Sequence, residues 1–348
     1  MTFTWAGVLS DLVRGSDLAP DVAGWAMDQI LAGDATPVQV AGFAIALRAK
    51  GETIAELTGL ADAMLERATP IRLPPEAVDV VGSGGDRANT VNVSTMAAIV
   101  TAACGVPVVK HGNRAASSAC GTADCLEALG VAIDVPPSAQ AKVLAEAGIV
   151  FLFAAMYHPS LRFASTARKE LGVPTTFNFL GPMANPARPS AQAVGVADAR
   201  MAPLVAGVIA GRGHRGLVFH GDDGLDELTT TTASDVWLIR DGEVVKTRLD
   251  PAELGVAPAG RDDLVGADPA HNAGVVRSVL AGAPGAVRDI VALNAAAAQL
   301  AFAGPDLAAP LAGQFVEPLQ RAYAAIDSGA AARVLDKWVE ATRAAKGA

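Results

Sequence analysis

Cysteine is scarce in this chain. Its three thiols, Cys104, Cys120 and Cys125, are an odd number without C-x-x-C spacing, which excludes a disulfide framework and a thiolate zinc site. Long hydrophobic runs are also missing: none reaches the roughly 18 uninterrupted residues of a membrane span. The first residues carry Asp11, Arg14 and Asp17 and lack the basic, apolar and small-residue succession of a signal peptide. A cytoplasmic protein with no membrane partner is expected. Basic residues are in the minority, 27 Lys and Arg against 36 Asp and Glu, for a formal charge of −9. Without a Lys/Arg run, that balance argues against nucleic acid as a partner. A small phosphorylated ligand needs only a local basic pocket.

What is present suits a large core. Hydrophobic residues make up 51% of the 348 and charged residues 18%, enough for two domains. Over residues 1–70 apolar positions recur at helical spacing in four segments, broken at Gly15, Pro20, Gly33 with Pro37, and Gly51. This predicts a small helical domain, followed by a linker from Pro70 to Pro75. Residues 75–348 read as an α/β domain, with short β-branched runs (78–81, 106–109, 149–153, 193–196, 216–221) alternating with alanine-rich helical stretches. Asp241-Gly242, between 235–240 and 243–249, is a hairpin signal, so the sheet is expected to be mixed and mainly parallel. Residues 160–188 interrupt the alternation and are expected to return to the helical domain. The tail, 268–303 and 315–345, reads as helices covering one sheet face.

The stretch from Val78 to Asp124 holds the chemistry. A short strand breaks into Gly82-Ser83-Gly84-Gly85-Asp86, and glycine there leaves backbone amides uncovered and permits positive φ. The polar run Asn89, Thr90, Asn92, Ser94, Thr95 leads into an apolar helix, with Ser94 or Thr95 expected near its N-cap. Lys110, His111, Asn113 and Arg114 follow a second strand on the same edge of the sheet, where ligands bind, and Lys110 with Arg114 would form a basic pocket. Taken alone, a glycine turn only joins strand to helix; this one matches neither the P-loop nor the dinucleotide spacing.

Asp222, Asp223, Asp226 and Glu227 fall in one turn after a strand. Four carboxylates so close repel one another unless a cation intervenes, and Mg2+ suits a few carboxylates plus phosphate oxygens. The plain alternative is a solvated acidic turn. Arg168 lies on an amphipathic segment and either faces water or pairs with a substrate carboxylate. His158 begins that segment as a His-Pro pair. His214, His220 and His271 have no metal-ligand spacing and read as structural.

Seven motifs in order, GSGGD (82–86), NVST (92–95), KHGNR (110–114), GTAD (121–124), HPSLR with ARKELG (158–172), FNFLGPMANP (177–186) and GDDGLDE (221–227), together resemble the anthranilate phosphoribosyltransferase family. The resemblance implies a small all-helical domain, built with a returning helical pair, and a large α/β domain of the nucleoside phosphorylase/phosphoribosyltransferase type. It also implies a homodimer formed through the helical domain, and a Mg2+-dependent transfer of the phosphoribosyl group of 5-phosphoribosyl 1-diphosphate (PRPP) to the amine of anthranilate in tryptophan biosynthesis. Carried over residue by residue, Gly82, Gly85, Asp86, Thr90, Asn92, Val93, Ser94 and Thr95 would hold the diphosphate. Lys110, His111, Gly112, Asn113, Arg114, Ala115, Ala116, Ser117, Ser118 and Thr122 would hold the sugar-phosphate end. Ser94, Asp226 and Glu227 would take the metal; Gly82, Asn113 and Arg168, with His111 and His158 nearby, would meet anthranilate. Lys110, Arg168, Asp226 and Glu227 form the expected catalytic set. Ser83 stands where the family commonly has Thr, and Thr122 where Ser is frequent; both keep a hydroxyl.

Two other readings compete. A pyrimidine nucleoside phosphorylase would carry K-H-S and an S-T-G-G-V-G-D turn, whereas here Asn113 follows His111-Gly112, and an orthophosphate substrate has no use for the acidic pair. A catalytically inactive relative binding nucleic acid is opposed by the intact GSGGD and Asp226-Glu227 elements and by the acidic charge.

Overall fold

The computed structural model describes residues 3–115 and 119–347. Four helices come first: α1 (Trp5–Val13), α2 (Pro20–Ala32), α3 (Pro37–Lys50) and α4 (Ile54–Glu66). Their boundaries follow local chemistry. Proline opens α2 and α3 at N1, where no N–H is needed, and Thr36/Gln39 and Thr53/Glu56 form capping boxes. Glu56 is buried and also accepts Lys50 Nζ and the Leu18 N–H, so one carboxylate ties three segments together.

The α/β part runs β1 (Val78–Gly82), α5 (Val93–Ala103), β2 (Val108–Gly112), α6 (Thr122–Leu129), α7 (Pro137–Ala147), β3 (Ile149–Phe153), α8 (Ala154–Tyr157), α9 (Arg162–Leu171), β4 (Ala191–Gly195), α10 (Ala202–Gly211), β5 (Arg215–Gly221), β6 (Ser234–Arg240) and β7 (Glu243–Leu249). It closes with α11 (Pro269–Leu280), α12 (Ala286–Ala303), α13 (Leu311–Asp327) and α14 (Ala330–Lys346). The sheet order is β3-β2-β1-β4-β5-β6-β7, with the first five strands parallel and the last two antiparallel. The β6–β7 turn is made by Asp241 and Gly242, both at positive φ. Strand β2 begins two residues later than the sequence pattern indicates, because Pro107 has no N–H to give the ladder. Lys110 and His111 are therefore strand residues paired with Phe151 and Leu152, not turn residues.

Alternation along the strands feeds two cores. Leu217, Phe219, Val236 and Leu238 join a core with α5, α12 and α13, whereas Val218, Trp237 and Ile239 join one with α10 and the N-terminal helices. The helical bundle and one sheet face thus share a single core. Helix α9 packs on α3 and α2, but only it is a regular helix in the returning segment. Residues 176–178 and 181–183 are single 3₁₀ turns, since the prolines and glycines there stop a second helix. Helix α12 is long and apolar enough to cross a membrane by length and composition, yet it is a core helix, 67% buried against α5, α13 and the sheet.

Candidate active site

Strand β1 is the point from which the chain leaves in both directions, to β2 on one side and β4 on the other. A crevice therefore opens at the C-terminal ends of β1 and β4, the usual ligand position in such sheets. The glycine turn grows from that end. Gly84 and Gly85 take φ of +70° and +90°, and among the described residues the N–H groups of Gly85 and Asp86 have no protein acceptor. Gly82 is required for a different reason: its φ is ordinary, but a Cβ there would overlap the Asp226 carboxylate. Its register partner Gly195 would strike the Asp226 backbone in the same way. The two glycines let the acidic loop lie directly across the strand ends.

The loop's four carboxylates separate into two pairs. Asp222 pairs with Arg248, and Asp223 accepts from the Leu225 N–H, Thr229 and Thr231; both are spent on holding the loop. Asp226 and Glu227 turn toward the glycine turn and α5. Asp226 Oδ2 accepts the Gly84 N–H at 2.7 Å, and Glu227 accepts the backbone N–H of Ser94. Burial and the neighbouring Asp86 push Asp226 up to about 7. Burial and Asp226 raise Glu227 well above the usual carboxylate range.

Lys110 is 1% exposed, and its Nζ donates to the Val80 carbonyl and, at 3.2 Å, to Ser94 Oγ. Burial lowers its pKa; Asp79, Glu227 and Asp226 oppose that shift. The lysine is thus the inner cation of a cluster formed with Ser94, Asp226 and Glu227. Among the described residues no three His, Cys, Asp or Glu side chains converge as a ready-made metal cage. Two adjacent carboxylates short of positive charge, beside the Ser94 hydroxyl, fit a hard cation that keeps waters or substrate oxygens as its remaining ligands.

Around this cluster several expectations need correction. Helix α5 starts at Val93 with Asn92 as N-cap, so Ser94 and Thr95 lie in its first turn, near the cap as expected. The Asn92 side chain is already engaged, donating to the Cys120 carbonyl and accepting from Asn272. Thr90 bridges to Val265, while Thr95 Oγ1 is enclosed with no partner. Arg114 does not join Lys110 in one basic pocket. Lys110 points from β2 beneath α5, whereas Arg114 lies beyond the strand end, paired with Glu127 at 2.6 Å and Asp124 at 2.7 Å and over the Phe153 ring; those two carboxylates raise its pKa. Asn113 is exposed, its Oδ1 accepting the Arg114 N–H. Gly112 ends β2, Ala115 donates its N–H to Asp124, and Thr122 opens α6. Ala116, Ser117 and Ser118 lie outside the described residues.

His111 and His158 are core residues in edge-to-face contact, ring centroids 5.3 Å apart. His111 Nδ1 donates to the Gly181 carbonyl at 3.2 Å and His158 Nε2 to that of Ala184 at 2.8 Å. Burial, then the neighbouring His158, pulls His111 down to about 3, so both rings are neutral, and His111 Nε2 is enclosed without a partner. Arg168 is half-buried on α9 over the Phe177 ring, 5.5 Å from its centroid. It has no carboxylate partner among the described residues, and burial lowers its pKa.

Sequence reasoning missed three supports. Buried Asp79 accepts the His111 N–H at 3.1 Å and Asn185 Nδ2 at 2.9 Å; burial raises it to about 6 despite Lys110. Asp124 accepts the N–H groups of both Ala115 and Gly121, which closes the loop after β2. Asp124 ends the GTAD motif and Asn185 falls within FNFLGPMANP, so both carried a signal; Asp79, inside an apolar run, did not.

Comparison with known proteins agrees with this architecture. Residues 7–68 match the helical bundle domain of the glycosyl transferase family and residues 74–332 its a/b domain. An anthranilate phosphoribosyltransferase of Nocardioides sp. is 58% identical over 97% of this chain and 99% of its own length. The crystal structure of the Thermus thermophilus anthranilate phosphoribosyltransferase superposes with TM-score 0.89 at 38% identity, covering 97% of this chain and 99% of that one. The Saccharomyces cerevisiae enzyme in complex with PRPP and Mg superposes with TM-score 0.87 at 26% identity, with 98% of each chain covered. With its helical bundle, its mixed sheet and the glycine turn and acidic loop meeting at the strand switch, the chain belongs to the anthranilate phosphoribosyltransferase family.

Proposed function

We propose that this chain transfers the phosphoribosyl group of PRPP to the amine of anthranilate and releases diphosphate, with the crevice at the ends of β1 and β4 as its active site. The observation that carries this reading is the meeting of Asp226, Glu227, Ser94 and Lys110 beside a turn whose Gly85 and Asp86 amides have no protein acceptor. A diphosphate takes backbone N–H donors and the Thr90 hydroxyl. Ser94, Asp226 and Glu227 would hold Mg2+, which when bound neutralises charge on the departing diphosphate. Lys110, fixed from beneath, adds a positive charge that needs no reorganisation during the reaction. Arg168, a half-buried guanidinium without a protein carboxylate, suits the acceptor's carboxylate in the two-point geometry arginine favours. Residues 112–115 and Thr122 are assigned to the sugar-phosphate end. Holding the amine over the ribose C1 supplies much of the acceleration, and no side chain is assigned as a general base.

A homodimer through the helical domain is part of this reading. Val13, Val38 and Ile45 are exposed there at 78%, 80% and 39%, and Val38 and Ile45 lie two turns apart on one side of α3. The decisive experiment follows anthranilate fluorescence on adding PRPP with and without Mg2+. Magnesium-dependent loss with equimolar diphosphate release is expected; no loss in folded protein would refute the assignment. Sedimentation analysis giving a monomer at micromolar concentration would refute the dimer.

A further inference from the structure

A half-open cavity of about 330 Å3 lies between the last turn of α4 and the N-terminal ends of β4 and β5, the sheet edge opposite the glycine turn. Leu65, Met183 and Pro189 supply apolar lining. Arg212 is engaged, pairing with Asp62 and donating to the Met183 carbonyl, both at 2.6 Å. Arg188 and Glu66 also line the cavity, yet among the described residues neither side chain has a hydrogen-bond or ion-pair partner, and they do not reach each other. His214 adds an enclosed Nδ1 with no partner. Burial, then Arg212 and Arg188, lowers its pKa, so the ring adds no third positive charge to the cavity.

One cavity therefore presents an unengaged cation, an unengaged anion and apolar lining. A simple anion would meet Asp62 and Glu66; a simple cation would meet Arg188 and Arg212. A zwitterion answers both, and the volume is that of a small-molecule site. We propose that this cavity binds a free α-amino acid with an apolar side chain, its carboxylate held by Arg188 and its ammonium by Glu66.

The test is calorimetric titration of the full-length protein with a panel of apolar L-amino acids, using phenethylamine and 3-phenylpropanoate as single-charge controls. One or more amino acids should bind with one site per chain, at least about tenfold more tightly than either control, since each control forfeits a charge-assisted contact. Arg188→Asn preserves the left-handed backbone at φ +50°, and Glu66→Gln preserves length. Each variant should weaken binding about tenfold or more while leaving the ligand-free Tm and turnover unchanged. Absence of binding at about 10 mM, well above useful affinity, would overturn the proposal. So would controls binding as tightly as the amino acids, or variants that bind like the parent. Loss of binding in Arg168→Ala but not in Arg188→Asn would put the amino acid in the crevice of the proposed active site, and this too would overturn it.

Discussion

Oδ2 of Asp226 sits 2.7 Å from the backbone nitrogen of Gly84 and accepts its hydrogen, so the acidic loop and the glycine turn form one object at the end of β1. Both belong to a crevice whose geometry depends on the missing Cβ at Gly82.

Gly82→Ala should therefore disable the site without unfolding the protein. The added methyl displaces Asp226, and a shift of about 1 Å at reacting groups costs about 10²-fold. Steady-state kcat/KM, with circular dichroism as control, checks this; an active Gly82→Ala protein would remove the close approach from the argument.

Asp226→Asn combined with Glu227→Gln keeps the shape and removes both charges. Turnover should fall by about 10³-fold or more, several kcal/mol of charge stabilisation, and added Mg2+ should no longer raise it. A double variant that still titrates with Mg2+ would show that the metal binds elsewhere.

Arg168→Ala is expected to act on the acceptor side only. Loss of a charged hydrogen-bonding partner worth about 1.5–3 kcal/mol should raise KM for anthranilate about 10- to 100-fold and leave KM for PRPP nearly unchanged. Arg168→Lys should recover part of the loss, since charge survives but the planar fork does not.

Asp124→Ala removes the acceptor of two backbone N–H groups, those of Ala115 and Gly121, and one partner of Arg114. The loop after β2 should loosen and KM for PRPP should rise about tenfold, the scale of one unsatisfied polar group, with secondary structure retained. Equal effects on both substrates would point to general unfolding.

His111 gives a pH signature. Its pKa falls from 6.5 in the unfolded chain to about 3 when folded, so the unfolded state binds the proton first. Its contribution to stability is full above pH 6.5 and is lost as pH falls toward 3. Buried His158, also lowered by burial, acts in the same direction, whereas Asp79, raised to about 6, opposes both below that value. His111→Gln should be less stable than the parent at pH 7, and the gap should close by about 1.4 kcal/mol per unit below pH 6.5. Denaturant melts at pH 7, 6 and 5 measure it; a gap independent of pH would mean that the fold leaves the proton affinity of His111 unchanged.

Much of this molecule is written locally. Helix limits in the N-terminal domain follow from Thr36, Thr53 and the N1 prolines, the β6–β7 hairpin from Asp241-Gly242, and the phosphate-like turn from Gly84 and Gly85, because each depends on backbone preferences of a few neighbouring residues. The sequence also indicated that Asp226 and Glu227 belonged with the glycine turn. Tertiary structure decided what only long-range packing can: that Asp222 and Asp223 are consumed by Arg248, Thr229 and Thr231; that Lys110 lies beneath α5 while Arg114 is held by Glu127 and Asp124; and that Gly82 is small because a carboxylate 144 positions later rests on it. Charge and spacing name the groups available for a site. Which of them face one another is set by strand order and by which face of each strand is buried, and that information is spread over the whole sheet.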